Sequence, residues 1–299
     1  MSRYYIGADI GGTGIKAAVV DGQGEIVARR STATPVNEGA AGILAALKKI
    51  IAELVCCGYG IGGIGIGTAG RVDPAEGVVL YATENLPGWT GMRLAEAVEE
   101  EFPLPVSVGN DANAAALGEG WRGAAAGLKD YVMLTLGTGV GGAVIHNAEA
   151  ISGRQGGAGE IGHMVLHPGG IPCSCGQRGC AEHYLSGKAL SRLAAEAAEG
   201  WDGRRLLAEF AAGSATAAAP MKRYMHDLSL AVHNIQSFMD PEAIILGGGV
   251  AESHALWWDA WMSGLAAVSP LSIKVLPAEL GNDAGMIGAA RMIMNKEGK

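Results

Sequence analysis

The 299-residue chain is long enough for two cores of ordinary domain size, and its 49% hydrophobic and 17% charged residues describe an ordered globular protein. Thirty acidic against 22 basic residues give a formal charge of −8 with no Lys/Arg-dense stretch, which argues against a nucleic-acid partner. No run approaches the ~20 apolar residues that span a bilayer and no signal-peptide pattern opens the chain, so a cytoplasmic protein without membrane partners is expected.

In chain order, Tyr4–Asp9, Ile15–Val20 and Glu25–Arg30 read as strands joined by glycine-rich turns, an antiparallel start. Ile43, Leu47, Ile50 and Leu54 recur at helical spacing, with Lys48, Lys49 and Glu53 off that face. Cys56 and Cys57 at the end of this helix are expected to be buried or partly buried, and no chemistry is assigned to them. Ile61–Thr68 alternates glycine with isoleucine and is expected to pair into the sheet at close quarters. Thr90 is the expected N-cap of a helix carrying Leu94, Ala97 and Val98. Val106–Val108 is a short strand leading to Asn110, Asp111 and a helix that starts near Ala112.

The pattern then restarts. Tyr131–Leu136, a glycine turn and Gly142–His146 repeat the strand–turn–strand of residues 4–20, which suggests an internally duplicated α/β architecture. Residues 151–184 are glycine-rich and hold three of the five cysteines. Ala212–Pro220 reads as a small-residue linker, and Met221–Met239 as a helix with Tyr224, Leu228, Ala231, Ile235 and Phe238 on one face. Ala243–Leu246 is a buried strand ending in Gly247-Gly248-Gly249.

Two glycine turns stand out, Asp9-Ile10-Gly11-Gly12-Thr13 and Leu136-Gly137-Thr138-Gly139-Val140-Gly141-Gly142. Glycines let backbone N–H groups face an anion, threonine hydroxyls add donors, and Asp9 is placed to hold the water shell of a phosphate-bound Mg²⁺. One such turn is more simply a hairpin; two, one in each half, favour phosphate binding. A P-loop is excluded for want of Gly-Lys-Ser/Thr, and a dinucleotide fingerprint because Gly137–Gly142 leads into a strand where a helix is required. Asp111, between a strand end and a helix start, can accept a proton from a substrate hydroxyl, although capping the helix is the commoner use of Asp there.

His163, Cys173, Cys175 and Cys180 form a Cys₃His set suited to a tetrahedral, structural Zn²⁺, with His167 and His183 as fallback ligands. Cys-x-Cys lacks the redox-motif spacing.

Together these segments resemble the ROK family (repressors, open reading frames and kinases), end to end. Asp9-Ile-Gly-Gly-Thr13 is similar to its first phosphate loop, Asn110-Asp111-Ala-Asn113-Ala to its catalytic segment, and Leu136–Gly142 to its second phosphate loop. Gly159-Glu160-Ile161-Gly162-His163 with Cys173-Ser-Cys175-Gly-Gln-Arg-Gly-Cys180-Ala-Glu182 is similar to its zinc signature. The resemblance implies an actin-like ATPase (ribonuclease H-like) fold with a cleft between two α/β lobes. The lobes would be 1–118, with a C-terminal helix near 285–297 packing back on it, and 119–284, which carries the zinc segment 163–180.

It also implies an ATP- and Mg²⁺-dependent hexose kinase, usually acting on O6, and a homodimer. Asp111 would be the general base, with Gly70, Asn85, Asn110, Glu160, His163 and Glu182 around the sugar. Asp9, Gly11, Gly12, Thr13, Lys16, Gly137, Thr138, Gly139, Gly247 and Gly248 would serve the nucleotide. Relatives often place Lys directly after Thr13, whereas here Gly14 and Ile15 intervene before Lys16. The Gly-Glu-Ile-Gly-His segment points to glucose, with N-acetylmannosamine and other hexoses or N-acetylhexosamines as alternatives. A sugar-sensing repressor is disfavoured, because the residues before Asp9 are too few for a helix-turn-helix.

Overall fold

The computed structural model describes residues 3–297. The elements run β1 (Tyr4–Ile10), β2 (Gly14–Val20), β3 (Ile26–Ala33), α1 (Gly39–Val55), β4 (Ile61–Thr68), β5 (Arg71–Asp73), β6 (Val78–Tyr81), α2 (Leu94–Glu99), β7 (Val106–Asn110) and α3 (Asp111–Arg122). They continue with β8 (Tyr131–Leu136), β9 (Val140–His146), β10 (Glu149–Ala150), α4 (Glu182–Leu185), α5 (Gly187–Ala197), α6 (Gly203–Ala211) and α7 (Ala215–Met239). The last are β11 (Ala243–Gly247), α8 (Trp258–Val268), β12 (Val275–Pro277) and α9 (Ala284–Glu297). The described residues divide into two compact units, one of residues up to Lys129 with Val144–Gly159 and those from Asn282 onward, the other of Asp130–Ala143 and Glu160–Gly281.

The two large sheets have the same topology. One has the order β3-β2-β1-β4-β7, the other β10-β9-β8-β11-β12. In the first, β1 pairs antiparallel with β2 and parallel with β4, and β4 pairs parallel with β7. In the second, β11 pairs parallel with both β8 and β12. The repeat of residues 4–20 at 131–146 is therefore the visible part of a larger one.

Period-two alternation decides what each face of the first sheet meets. Ile6, Ala8 and Ile10 of β1, with Ile64 and Ile66 of β4, share a core with Ile43, Leu47, Ile50, Ile51 and Leu54 of α1. Each buried isoleucine or leucine among them contributes about 1.5–3 kcal/mol. The other face carries Tyr5, Ala18 and Val20 against Met286, Ala290 and Ile293 of α9. There the glycines of the Gly-Ile alternation have their use. A Cβ on Gly65 would overlap the Ala289 carbonyl, and one on Gly7 the Met286 carbonyl, so α9 lies directly on the backbone of β4 and β1.

Four local expectations are corrected. Residues 215–220 are not a linker: the alanine-rich run begins α7, which continues through Pro220 at the loss of the bond to the Thr216 carbonyl. Phe238 is 86% exposed, although Tyr224, Leu228, Ala231 and Ile235 are buried as their spacing requires, because α7 ends one residue later at the left-handed Asp240. Cys56 and Cys57 are exposed, lying beyond the last buried residue of α1, Leu54. Thr90 does not cap α2, which starts at Leu94; its hydroxyl accepts from the Ala82 N–H at 3.0 Å instead. Among the described residues, no helix is long and apolar enough to cross a membrane.

Candidate active site

In the first unit, Asp9 lies near the end of β1 on the α9-facing side of the sheet, in register with Lys16 on β2 and Gly67 on β4. The second residue of α9, Gly285, comes so close that a Cβ there would sit 2.9 Å from the Asp9 carboxyl carbon. Burial, then the charge of Asp111, push the Asp9 carboxyl up to about 6, opposed by Lys16. Lys16 itself donates to Asn282 Oδ1 at 3.0 Å, just ahead of α9.

The first glycine turn is a hairpin turn with donors to spare. Gly11 N–H closes it on the Gly14 carbonyl at 3.0 Å, and Thr34 pins it by donating its hydroxyl to the Gly11 carbonyl at 2.6 Å and its N–H to Thr13 at 3.3 Å. The N–H groups of Gly12 and Thr13 have no acceptor among the described residues. Unspent main-chain donors beside a carboxylate suit a metal-bound phosphate. Exposed Asn85 abuts Gly12, 3.3 Å from the place of a Cβ.

Asn110 and Asp111 join β7 to α3. Asn110 Oδ1 accepts from the N–H groups of Ala112 at 2.9 Å and Asn113 at 3.1 Å, which makes Asn110 the N-cap. Its amide nitrogen donates to the Gly70 carbonyl and to Asp111 Oδ1, both at 2.9 Å. Asp111 Oδ1 also accepts from the Ala112 N–H at 2.9 Å. Helix capping is thus the work of Asn110, and Asp111, the first helical residue, is fixed at one oxygen. All four hydrogen-bonding positions of the Asn110 amide are filled from within this corner.

In the second unit, Gly137 closes its turn by donating to the Gly139 carbonyl at 2.9 Å, as Gly11 does in the first. The Gly137 carbonyl accepts from Gly187 N–H at 2.8 Å, which brings the N-terminus of α5 to the turn, an arrangement favourable to anions. Gly137 and Thr138 line a cavity of about 990 Å³ together with Lys188, Arg204, Gly249 and Glu252. Gly247 and Gly248 do not line it: Gly247 ends β11, and Gly248, at φ +83°, packs on the Leu136 backbone. Lys188, Arg204 and Glu252 were not legible in the sequence, being isolated polar residues on separate helices without a motif.

The other face of the same turn meets Glu182, the first residue of α4. Its Oε2 accepts from Val140 N–H at 3.2 Å and occupies the space a Cβ on Gly139 would need. Gly162 lies against the Val140 carbonyl where any Cβ would overlap it, inside the short 3₁₀ turn Ile161–His163 that Glu160 precedes.

That turn leads to the cysteine cluster. The ligand atoms of His163, Cys173, Cys175 and Cys180 all lie within 4.8 Å of one another. His163 Nδ1 is 3.6 Å from Cys173 Sγ, and Cys175 Sγ is 3.6 Å from Cys180 Sγ. Tetrahedral zinc with ligand bonds of about 2.0–2.3 Å has edges of about 3.5–3.8 Å, so the set fits that ion. Burial, with the neighbouring thiols, pushes the Cys180 thiol up to about 12, and the Gln177 backbone draws Cys175 down. Glu182 and His183 form a second group with Cys173. His167 is otherwise engaged, its Nε2 on Asp227 Oδ1 at 2.8 Å and its ring against Tyr184.

Two matching five-stranded sheets, each with a glycine turn after its leading strand at Gly11–Thr13 and Gly137–Gly139, define the two-lobe actin-like ATPase fold. The chain belongs to the ROK family, whose profile matches residues 5–296. A glucokinase of Halalkalibacterium halodurans is 34% identical over 319 residues, 99% of this chain and 96% of its own. A ROK family glucokinase from Streptomyces griseus, solved in complex with glucose and AMPPNP, is similar at a TM-score of 0.83 and 35% identity, over 96% of this chain and 98% of that one. An N-acetyl-D-glucosamine kinase of Photobacterium profundum is 31% identical over 98% of this chain and 100% of its own.

Proposed function

We propose that this protein is an ATP-dependent hexose kinase that transfers the γ-phosphoryl group to a sugar hydroxyl, with O6 of glucose as the acceptor. The observation that carries the reading is Asp111, a carboxylate at the head of α3 that is spared the capping of its helix by Asn110. Phosphoryl transfer asks a protein for positioning, a base and charge neutralisation. Asp111 takes the proton of the attacking hydroxyl. Asn110 holds Asp111 in place, and Gly70, Asn85, Glu160, His163 and Glu182 are the remaining groups assigned to the sugar.

The N–H groups of Gly12 and Thr13, with Gly137 and Thr138, serve the phosphates. The cavity lined by Arg204 and Gly249 serves the nucleoside, which places Gly247 and Gly248 behind it as support. Lys16 acts on the phosphate side through its charge on Asp9. Asp9 holds the water shell of the Mg²⁺ that neutralises phosphate charge. His163 Nδ1, Cys173, Cys175 and Cys180 hold a structural zinc, which fixes the segment carrying Glu160 and Glu182 and leaves His163 Nε2 for a hydroxyl.

The test is a hexose panel with purified protein, ATP and Mg²⁺. Glucose is expected to give the highest kcat/KM. Preference for N-acetylglucosamine or N-acetylmannosamine would move the assignment within the family, and inactivity on all of them would remove the kinase.

A further inference from the structure

The second glycine turn has two faces with different occupants. Toward the cavity it shows Gly137 and Thr138, and Gly139 is absent from that lining. On the other side the Glu182 carboxylate fills the space a side chain on residue 139 would take, and holds the Val140 N–H at 3.2 Å. A phosphate and a carboxylate repel, so the side of the turn that Glu182 occupies is closed to the nucleotide. The backbone of Val140 is also where Gly162 rests, in the 3₁₀ turn between Glu160 and His163. Three residues assigned to the sugar thus take their bearing from Gly139 and Val140.

We propose that Gly139 is a positioning residue for the sugar rather than a contact for the phosphates. Its bare Cα admits the Glu182 carboxylate into the turn, so that one four-residue stretch of backbone serves the donor with Gly137 and Thr138 and sets the acceptor's carboxylate with Gly139 and Val140. The proposal rests on the kinase reading. It predicts a division within a single loop: substitutions at 138 act on ATP, and substitutions at 139 act on sugar.

The test is a double-mutant cycle of Gly139→Ala and Glu182→Ala, reading KM for sugar, KM for ATP, zinc content and melting temperature in each protein. Gly139→Ala displaces Glu182 and is expected to raise KM for sugar about tenfold or more. KM for ATP should stay within about threefold, with zinc retained. Adding Gly139→Ala to Glu182→Ala should cost no further sugar affinity, because the carboxylate it would displace has gone. A KM for ATP that rises as much as that for sugar, or effects on sugar that multiply in the double variant, overturns the proposal. Should Gly139→Ala alone fail to fold, the double variant carries the test, since it lacks the clash; a KM for ATP well above that of Glu182→Ala then counts against it. Failure of the kinase reading is seen separately, in wild-type protein inactive on every hexose, and the proposal falls with it.

Discussion

The side-chain amide of Asn110 donates to Asp111 Oδ1 at 2.9 Å while its own oxygen takes the N–H groups of Ala112 and Asn113. Neighbours in sequence, the two residues divide capping from chemistry. Asp111→Asn should therefore leave the melting temperature nearly unchanged, because the cap remains. With no carboxylate to take the hydroxyl proton, kcat should fall by roughly 10²–10⁴. Asn110→Ala gives the opposite emphasis, losing about 1 kcal/mol of stability with the cap as well as the hold on Asp111. Turnover and thermal melts on the two variants separate these effects; near-normal kcat in Asp111→Asn would remove Asp111 as the base.

Asp9 sets a pH signature. Its folded-state carboxyl is raised to about 6 from an ordinary 3.8. Between those values the native chain holds a proton that the unfolded chain has released, so this group makes stability fall as pH rises through the window. Asp9→Asn removes a cost of up to about 3 kcal/mol at pH 8. The variant should melt above wild type there, the difference closing as pH falls below about 4, while activity is lost at every pH. Melting curves across pH check this, and equal melting at pH 8 would refute it.

Metal content tests the cysteine cluster. Purified, reduced protein should carry about one zinc per chain. Cys175→Ser should lose it and melt lower. Because Glu182 lies two residues past Cys180, KM for sugar should rise in the same variant. Elemental analysis that finds no zinc in wild type sinks the assignment.

Thr138→Val keeps the shape of the second turn and removes a hydroxyl from the wall of the 990 Å³ cavity. KM for ATP should rise by roughly tenfold, the loss of one hydrogen bond to a charged group, with KM for sugar little changed. A rise confined to sugar would mean that the turn has been misassigned.

How much of this was legible in the sequence depended on whether a signal was local. The Gly-Ile alternation of Ile61–Thr68 announced a strand with one crowded face, and α9 on Gly65 supplies the crowding. The cysteines and His163 lie close along the chain, so their convergence could be read directly. What lay across the chain could not. Nothing near Lys16 signals Asn282, nor does anything near Asp9 signal Gly285. The choice of Asn110 over Asp111 as cap was also hidden, since both residues favour that position and only backbone geometry decides between them. Phe238 kept its helical spacing after the helix had run out of partner.

The return of α9 to the first sheet has a consequence for biosynthesis. Tyr5, Ala18 and Val20 wait for Met286, Ala290 and Ile293, and these leave the ribosome only after the whole of the second unit has been made. Domains generally fold as they emerge, N-terminal ones first. Here that order is inverted: both segments of the second unit, Asp130–Ala143 and Glu160–Gly281, have been made while the first unit still shows one apolar sheet face to solvent or to a chaperone. Asp9, among the first residues translated, receives its neighbour Gly285 among the last, so the carboxylate is set in place only when synthesis of the chain is nearly over.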